Sequence, residues 1–188
     1  MLQKLFKKDT KDFAQELLGM YLIHESPEGK TIGKIVETEA YLWNDPAAHS
    51  FRGKTMRNSP MFGKPGTAYV YFTYGMHYCF NVVTANVGIG EAVLIRALEP
   101  IEGIELMKKR RKREDLYNLC NGPAKLVQAM GISKEHNTHF LLHKPLYLEE
   151  RKKEMFSIVK KTRIGISLAK NKLFRFYIKG NDFVSFPV

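Results

Sequence analysis

The sequence predicts an α+β fold in a single domain, on three observations. Strand-like and helix-like segments follow one another without regular alternation, which favours α+β over a doubly wound sheet. The 188 residues contain no internal repeat, low-complexity tract or interdomain linker, and that length suits one hydrophobic core. Two pairs of strand-like segments are joined by turn chemistry, the mark of antiparallel neighbours.

Taken in order, Asp9 or Thr10 can cap a short helix running to Leu18, with Phe13, Ala14, Leu17 and Leu18 as its apolar stripe and Gly19 as its stop. Met20 to Glu25 reads as a strand, Ser26-Pro27-Glu28-Gly29 as a turn, and Thr31 to Leu42 as the returning strand. Trp43 to Gly66 is a long loop rich in Pro, Gly, Asn, Ser and Arg, and a loop of that length in a compact domain is usually functional or disordered. Thr67 to Tyr74 and His77 to Thr84 form a protruding hairpin that reverses at Gly75. Glu91 to Leu98 is a further strand, after which Pro100 is expected to start a helix ending in the basic run Lys108 to Arg113. Gly122-Pro123 opens another helix through Met130, stopped by Gly131. Shorter strands follow, the clearest at Phe174 to Lys179.

Charge narrows the class of partner. Lys plus Arg number 30 against 19 Asp plus Glu, a net charge of +11, which favours a polyanion, most simply nucleic acid. Ribosome association, anionic lipid and plain solubility remain alternatives on charge alone. The two cysteines, Cys79 and Cys120, form no C-x-x-C pair, so no disulfide framework or cysteine zinc site is indicated and a reducing cytosol fits. The first ten residues lack the apolar centre of a signal peptide, and no stretch approaches a membrane span, so a cytoplasmic protein is expected.

Several clusters could carry chemistry. In Ile35 to Leu42, strand alternation places Val36, Thr38, Ala40 and Leu42 on one face and Glu37, Glu39 and Tyr41 on the other. A carboxylate beside an aromatic, just before a long loop, would make a catalytic corner. Alternation does not choose between the glutamates, and two solvated carboxylates on a half-exposed strand is the plainer reading of the pattern. The long loop carries His49 with Arg52, Lys54 and Arg57, which suit phosphate contact, although a solvated loop would look the same. Tyr69, Tyr71, Phe72, Tyr74, Tyr78 and Phe80 crowd the hairpin. Tyr74 suits its tip as a wedge that unstacks bases, Tyr71 a pocket wall, and Asn81 a structural clamp or base reader. The basic run 108–113 reads as a solvated helix end. His136, His139 and His143 are spaced as a helical zinc site would be, but with no carboxylate or cysteine to complete it, a polar surface patch is the plainer reading.

The motifs Val36-Glu37-Thr38-Glu39-Ala40-Tyr41, Ala47-Ala48-His49-Ser50, Met61-Phe62-Gly63-Lys64-Pro65-Gly66-Thr67, Tyr69-Val70-Tyr71, Tyr74-Gly75-Met76, Asn81, Arg96-Ala97-Leu98-Glu99-Pro100 and Gly122-Pro123-Ala124-Lys125-Leu126 occur in order. Together they resemble the alkyladenine (3-methyladenine, or methylpurine) DNA glycosylase family, from the N-terminal helix to the final strand. The resemblance implies a curved antiparallel sheet, as a roll or partly open barrel, with helices around it. It implies excision of alkylated or deaminated purines from duplex DNA by a monofunctional glycosylase, with no metal or organic cofactor; a monomer would suit a reader of DNA. Glu39 matches the base that activates water, and Arg96 an arginine near that water and the flipped nucleotide's phosphate. Tyr41, His49 and Tyr71 match the side chains around the flipped base, Asn81 the amide that disfavours the guanine amino group, and Tyr74 the residue that fills the gap in the duplex. Lys125 and Lys134 join Arg52, Lys54 and Arg57 as candidate phosphate contacts. The chain departs from the family pattern in shorter segments at 43–46 and 50–57 and a slightly longer connection from Asn81 to Arg96, which puts substrate range in question before activity. A non-enzymatic nucleic-acid-binding module on the same fold is the competing reading.

Overall fold

A computed structural model describes residues 5–6, 8–73, 75–150 and 154–185. It is α+β, built on a strongly curled antiparallel half-barrel sheet. Helix α1 (Thr10–Glu16) is capped by the Asp9 carboxylate, which accepts from the Lys11 amide at 2.9 Å, and it buries Phe13 and Ala14. It ends two residues short of the expected Leu18; Leu17 and Leu18 stay buried in the turn that follows. Strands β1 (Tyr21–Ser26), β2 (Gly29–Tyr41), β3 (Ala68–Thr73), β4 (His77–Val83), β5 (Ala92–Glu102) and β6 (Leu146–Glu149) lie in the order β3-β4-β5-β2-β1-β6. Strand β8 (Arg175–Ile178) pairs with β2 and with β7 (Ile158–Lys161).

The long strand β2 organises this sheet. One edge pairs with β5 along most of its length. The other pairs with β1 from Gly29 to Lys34 and then with β8 from Glu37 to Glu39. The handover coincides with register shifts between Ile35 and Glu37 and between Glu37 and Thr38, which leave Val36 on β2 and Arg96 on β5 without a facing partner. Irregularities of this kind bend a sheet and re-aim side chains.

Pro100 does not start a helix. Strand β5 continues through it to Glu102, with an irregularity beside it where Ile101 has no facing residue. Proline has no N–H to give the ladder, and a bulge is where a sheet tolerates it. Helix α2 (Ile104–Arg111) begins only after Gly103, whose φ of +75° and close approach to the Lys30 carbonyl, 2.3 Å from where a Cβ would sit, exclude other residues. Helix α3 (Pro123–Met130) runs as the sequence predicts and ends on Gly131 at φ +69°.

Alternation divides the sheet into two faces. Val36, Ala40, Ala68, Val70, Phe80, Val82, Val93, Ile95 and Ala97 point into the main core with Phe13, Leu126 and Met130 from the helices. The Thr38 hydroxyl donates to the Ala14 carbonyl at 2.8 Å, fastening β2 to α1 on that side. The alternate residues point the other way and build the site.

Candidate active site

The opposite face of the sheet lines a cavity of about 460 Å³. Tyr69, Tyr71 and Thr73 come from β3, Cys79 and Asn81 from β4, Ala92, Leu94 and Arg96 from β5, and Tyr41 from the end of β2. Pairing sets Glu39 opposite Leu94, Leu94 opposite Asn81, and Asn81 opposite Tyr69, so these four form one row across four strands. Loops close the cavity with Pro46, Ala47 and His49 on one side and residues 164–168 on another.

Glu39 sits under the floor of this cavity, held by groups that line it. Its Oε2 accepts from the Tyr41 hydroxyl at 2.9 Å, its Oε1 accepts from the Ile164 amide at 2.8 Å, and Arg96 Nη1 stands 3.4 Å from Oε1. Burial pushes the Glu39 carboxyl above the usual carboxylate range, opposed by Arg96, the Ile164 amide and the Tyr41 hydroxyl. Glu37 is equally inaccessible, and both glutamates are 0 % exposed, so the reading of two solvated carboxylates is overturned. The reason is the second neighbour strand: β8 covers the edge of β2 at this point. Glu37 has partners that do not line the cavity. Its Oε1 accepts from Arg175 at 2.9 Å and its Oε2 from the Ser185 amide at 2.6 Å.

The aromatic wall is made of neutral groups. Tyr69 and Tyr71 stack at 5.2 Å, and His49 meets Tyr71 edge-on at 4.6 Å while its Nδ1 lies 3.1 Å from the Tyr69 hydroxyl. Desolvation, then Arg57, lowers the His49 pKa from its ordinary value. Desolvation pushes the Tyr69 hydroxyl up to about 12 and raises Tyr41 and Tyr71 as well. Asn81 Nδ2 donates to the Tyr69 carbonyl at 3.1 Å, so the amide is oriented by its partner strand.

Of the residues singled out in sequence, Arg96, Tyr41, His49, Tyr71 and Asn81 line one cavity, and Glu39 is buried behind Arg96 and Tyr41. Tyr74 lies outside the described residues; next to it Gly75 turns at φ +69° with open space around it, and Met76 is well exposed. Arg57 reaches the rim, donating to the Phe72 carbonyl at 2.9 Å and lying 5.8 Å from the Tyr71 ring. Arg52, Lys54 and Lys134 are exposed, whereas Lys125 is half-buried, donating to Asn121 at 2.7 Å. In the basic run, Lys108 pairs with Glu105, Arg110 with Glu28, and Arg111 donates to Gln128, so part of that run is engaged within the fold.

The three histidines do not share a helical face. His136 ends a 3-10 turn and faces His24, and His139 donates to the His143 carbonyl at 2.8 Å. Met130 offers His24 Nδ1 a carbonyl at 2.7 Å and the Ser133 amide donates to His136 Nδ1, so the 3.1 Å contact between the rings runs from His136 Nε2–H to His24 Nε2. Among the described residues no group of three His, Cys, Asp or Glu is placed to hold a metal ion.

Sequence reasoning missed Asp45 and Arg163. Both are buried and form an ion pair, and Arg163 also donates to the Ala40 carbonyl at 3.0 Å and lies 4.6 Å from the Tyr41 ring. Neither residue stands in a pattern that distinguishes it from an ordinary loop charge. Among the described residues no helix is long and apolar enough to cross a membrane.

A family model described as methylpurine-DNA glycosylase matches residues 4–182. A Francisella tularensis protein named "Putative 3-methyladenine DNA glycosylase" is 54 % identical over 188 residues, covering 98 % of this chain and 97 % of its own. Proteins of the same name from Carboxydothermus hydrogenoformans (51 % over 185 residues, 97 % of each chain) and Methanoculleus marisnigri (48 % over 184 residues, 96 % and 95 %) are similar over nearly their whole length.

Proposed function

This chain belongs to the methylpurine-DNA glycosylase family, and on that footing we propose that it flips an alkylated or deaminated purine out of duplex DNA and hydrolyses its N-glycosidic bond with water activated by Glu39. One observation carries the reading: a buried carboxylate whose partners Tyr41, Arg96 and Ile164 are themselves part of the lining of an aromatic cavity. A carboxylate offers about four lone-pair sites, so these contacts leave it room to accept a proton from water.

In this mechanism the bond from the anomeric carbon to the base nitrogen breaks and the base leaves with the electron pair. Water oxygen bonds to the anomeric carbon and gives its proton to Glu39, whose negative charge also favours the oxocarbenium-like sugar. Arg96 sits beside that carboxylate, where it can orient the water and the flipped nucleotide's phosphate. Tyr41, Tyr71 and His49 enclose the base. Stacking is worth about 1–3 kcal/mol per base, and the neutral aromatic faces attract a cationic methylated purine. The Asn81 amide reads the base edge against a guanine amino group. Tyr74, which precedes Gly75 in the sequence, fills the space left in the duplex, which costs a few kcal/mol to vacate and least at weakly paired lesions.

Arg52, Lys54, Arg57, Lys125 and Lys134 are the candidate phosphate contacts. Lys64 lies 4.3 Å from the Phe140 ring, away from the cavity lining, which favours water over a lysine amine as nucleophile and hence no strand cleavage. The reaction calls for no cofactor, and one domain acting as a monomer suffices.

The test is single-turnover release of free base from a duplex containing hypoxanthine or 3-methyladenine. Glu39→Gln should bind that duplex as wild type does and lose at least about a hundredfold in excision, the scale of general-base catalysis. Full excision by this variant would remove Glu39 from the mechanism. Binding without base release by wild type would favour a binding module.

A further inference from the structure

Glu37 and Glu39 share a strand face, are both inaccessible, and are linked through one guanidinium. Arg96 stands 3.5 Å from Glu37 through Nε and 3.4 Å from Glu39 through Nη1. Both separations exceed the 2.7–2.9 Å of a charge-assisted hydrogen bond. The closest ionic contact in the array is instead Arg175 to Glu37 at 2.9 Å. The side chains therefore run Arg175, Glu37, Arg96, Glu39, Tyr41, with charge alternating over the first four. Arg96 is also the β5 residue left without a facing partner, and its Nε and Nη2 donate to the Ser185 hydroxyl at 3.4 Å, so side-chain contacts hold its guanidinium between the two carboxylates.

We propose that Glu37 is a positioning residue for excision: by sharing Arg96 with Glu39 it keeps the guanidinium from closing onto the water-activating carboxylate. This rests on the reading of Glu39 as the base. A bidentate Arg96–Glu39 pair would occupy the lone pairs that water needs and would weaken the carboxylate as a base. Arg175 and the Ser185 amide anchor Glu37 from the far side, so its pull on Arg96 is held in place.

The electrostatics agree in direction. Arg96, the Ile164 amide and Tyr41 each draw the Glu39 carboxyl down, whereas burial and Glu37 push it up. The other ionisable groups nearby are Cys79 on β4, whose thiol Glu39 helps to raise, and Arg163, which stands beside Tyr41.

The experiment is the pH profile of single-turnover hypoxanthine excision. Its acid limb reports deprotonation of Glu39. In Glu37→Gln the neutral amide releases Arg96 towards Glu39. The limb should move down by about one pH unit, the size of effect one nearby charge has, with a several-fold lower plateau and unchanged duplex binding. In Arg175→Gln the freed Glu37 draws Arg96 away, and the limb should move up. Opposite displacements are not what loosened packing would give, but lost charge acting through space would give them, so a crystal structure of Glu37→Gln completes the test: Arg96 closed onto both Glu39 oxygens is expected, and Arg96 left in its present place overturns the proposal. A limb that stays in place in either folded variant, or moves the same way in both, overturns the proposal. If Glu37→Gln fails to fold, the direction of the Arg175→Gln limb decides. Carbon-13 titration of the Glu39 carboxyl in the same variants separates the two layers of the argument. If Glu39→Gln retains excision, Glu39 is not the base, yet the titration still shows whether Glu37 governs it.

Discussion

The cavity has a sheet wall and a loop wall, and the two are built by different means. On the sheet wall, Glu39, Leu94, Asn81 and Tyr69 stand in one cross-strand row because four strands are in register. The ladder fixes each Cα, and alternation fixes the side each residue faces. On the loop wall, His49 and residues 164–168 have no ladder behind them. Buried polar contacts take its place. Asn58 Nδ2 donates to the His49 carbonyl at 2.8 Å and to the Gly53 carbonyl at 3.0 Å. Glu91 accepts from the Trp43 amide at 3.3 Å where the loop leaves β2. Arg163 joins both walls, since it pairs with Asp45 on one loop, donates to Ala40 on β2, and is followed by the amide that binds Glu39. A sheet can place a catalytic group by repetition, whereas a loop needs a specific partner for each polar group it buries.

That contrast can be broken most forcefully at Arg163. Its Nε and Nη2 are buried without a hydrogen-bond partner among the described residues, and it is held by Asp45, Ala40 and the faces of Tyr41 and Phe174. Arg163→Ala leaves Asp45 as a buried charge with, among the described residues, only Lys172, 3.7 Å away, as a cation. It should cost about 3–5 kcal/mol of stability, read from urea unfolding. A loss below about 1 kcal/mol would mean that the loops are held by something else.

A smaller effect is expected at Gly90. A Cβ there would lie 2.6 Å from the Ser50 Cβ and 2.8 Å from the Phe62 ring. Ser50 follows His49 directly and its hydroxyl donates to the Gly90 carbonyl. Gly90→Ala should destabilise by about 1–3 kcal/mol through overpacking. It should also slow excision and weaken duplex binding together, because the loop it moves carries both His49 and the basic residues Arg52, Lys54 and Arg57. A loss in one assay without the other would show that His49 and the basic residues move independently.

The smallest effect on stability belongs to the exposed rim. Arg52→Ala and Lys54→Ala should each change stability by no more than about 0.5 kcal/mol. If each contacts a phosphate, each should lower the slope of log affinity against log salt by about one. An unchanged slope would remove that residue from the phosphate contacts.

Much of the scaffold was legible in the sequence. Pro123 and Gly131 bound α3 as their chemistry requires, and the pairing of β3 with β4 around Gly75 follows from turn residues and apolar pattern. The residues around the cavity could be collected from ordered motifs. Pro100 was misread because a proline after a strand usually ends it, and only the bulge beside it shows how the strand continues. Alternation left Glu37 and Glu39 indistinguishable, because a period of two assigns a face and says nothing of what packs on it; only the ordered motifs singled out Glu39.

By itself, then, the sequence determined the antiparallel elements, the division of β2 to β5 into a core face and a polar face, and the motifs that mark the family. These are local properties, repeated every two residues or written in consecutive ones. Tertiary structure alone decided which glutamate would be held by Arg175 away from the cavity and which would be held by groups that line it. That choice depends on Arg175, 138 residues from Glu37, and on the Ile164 amide, 125 residues from Glu39. The Asp45–Arg163 pair spans 118 residues. Contacts across such separations leave no periodic trace in the chain. They exist only once the sheet has curled and brought β8 and the loop after β7 against the polar face.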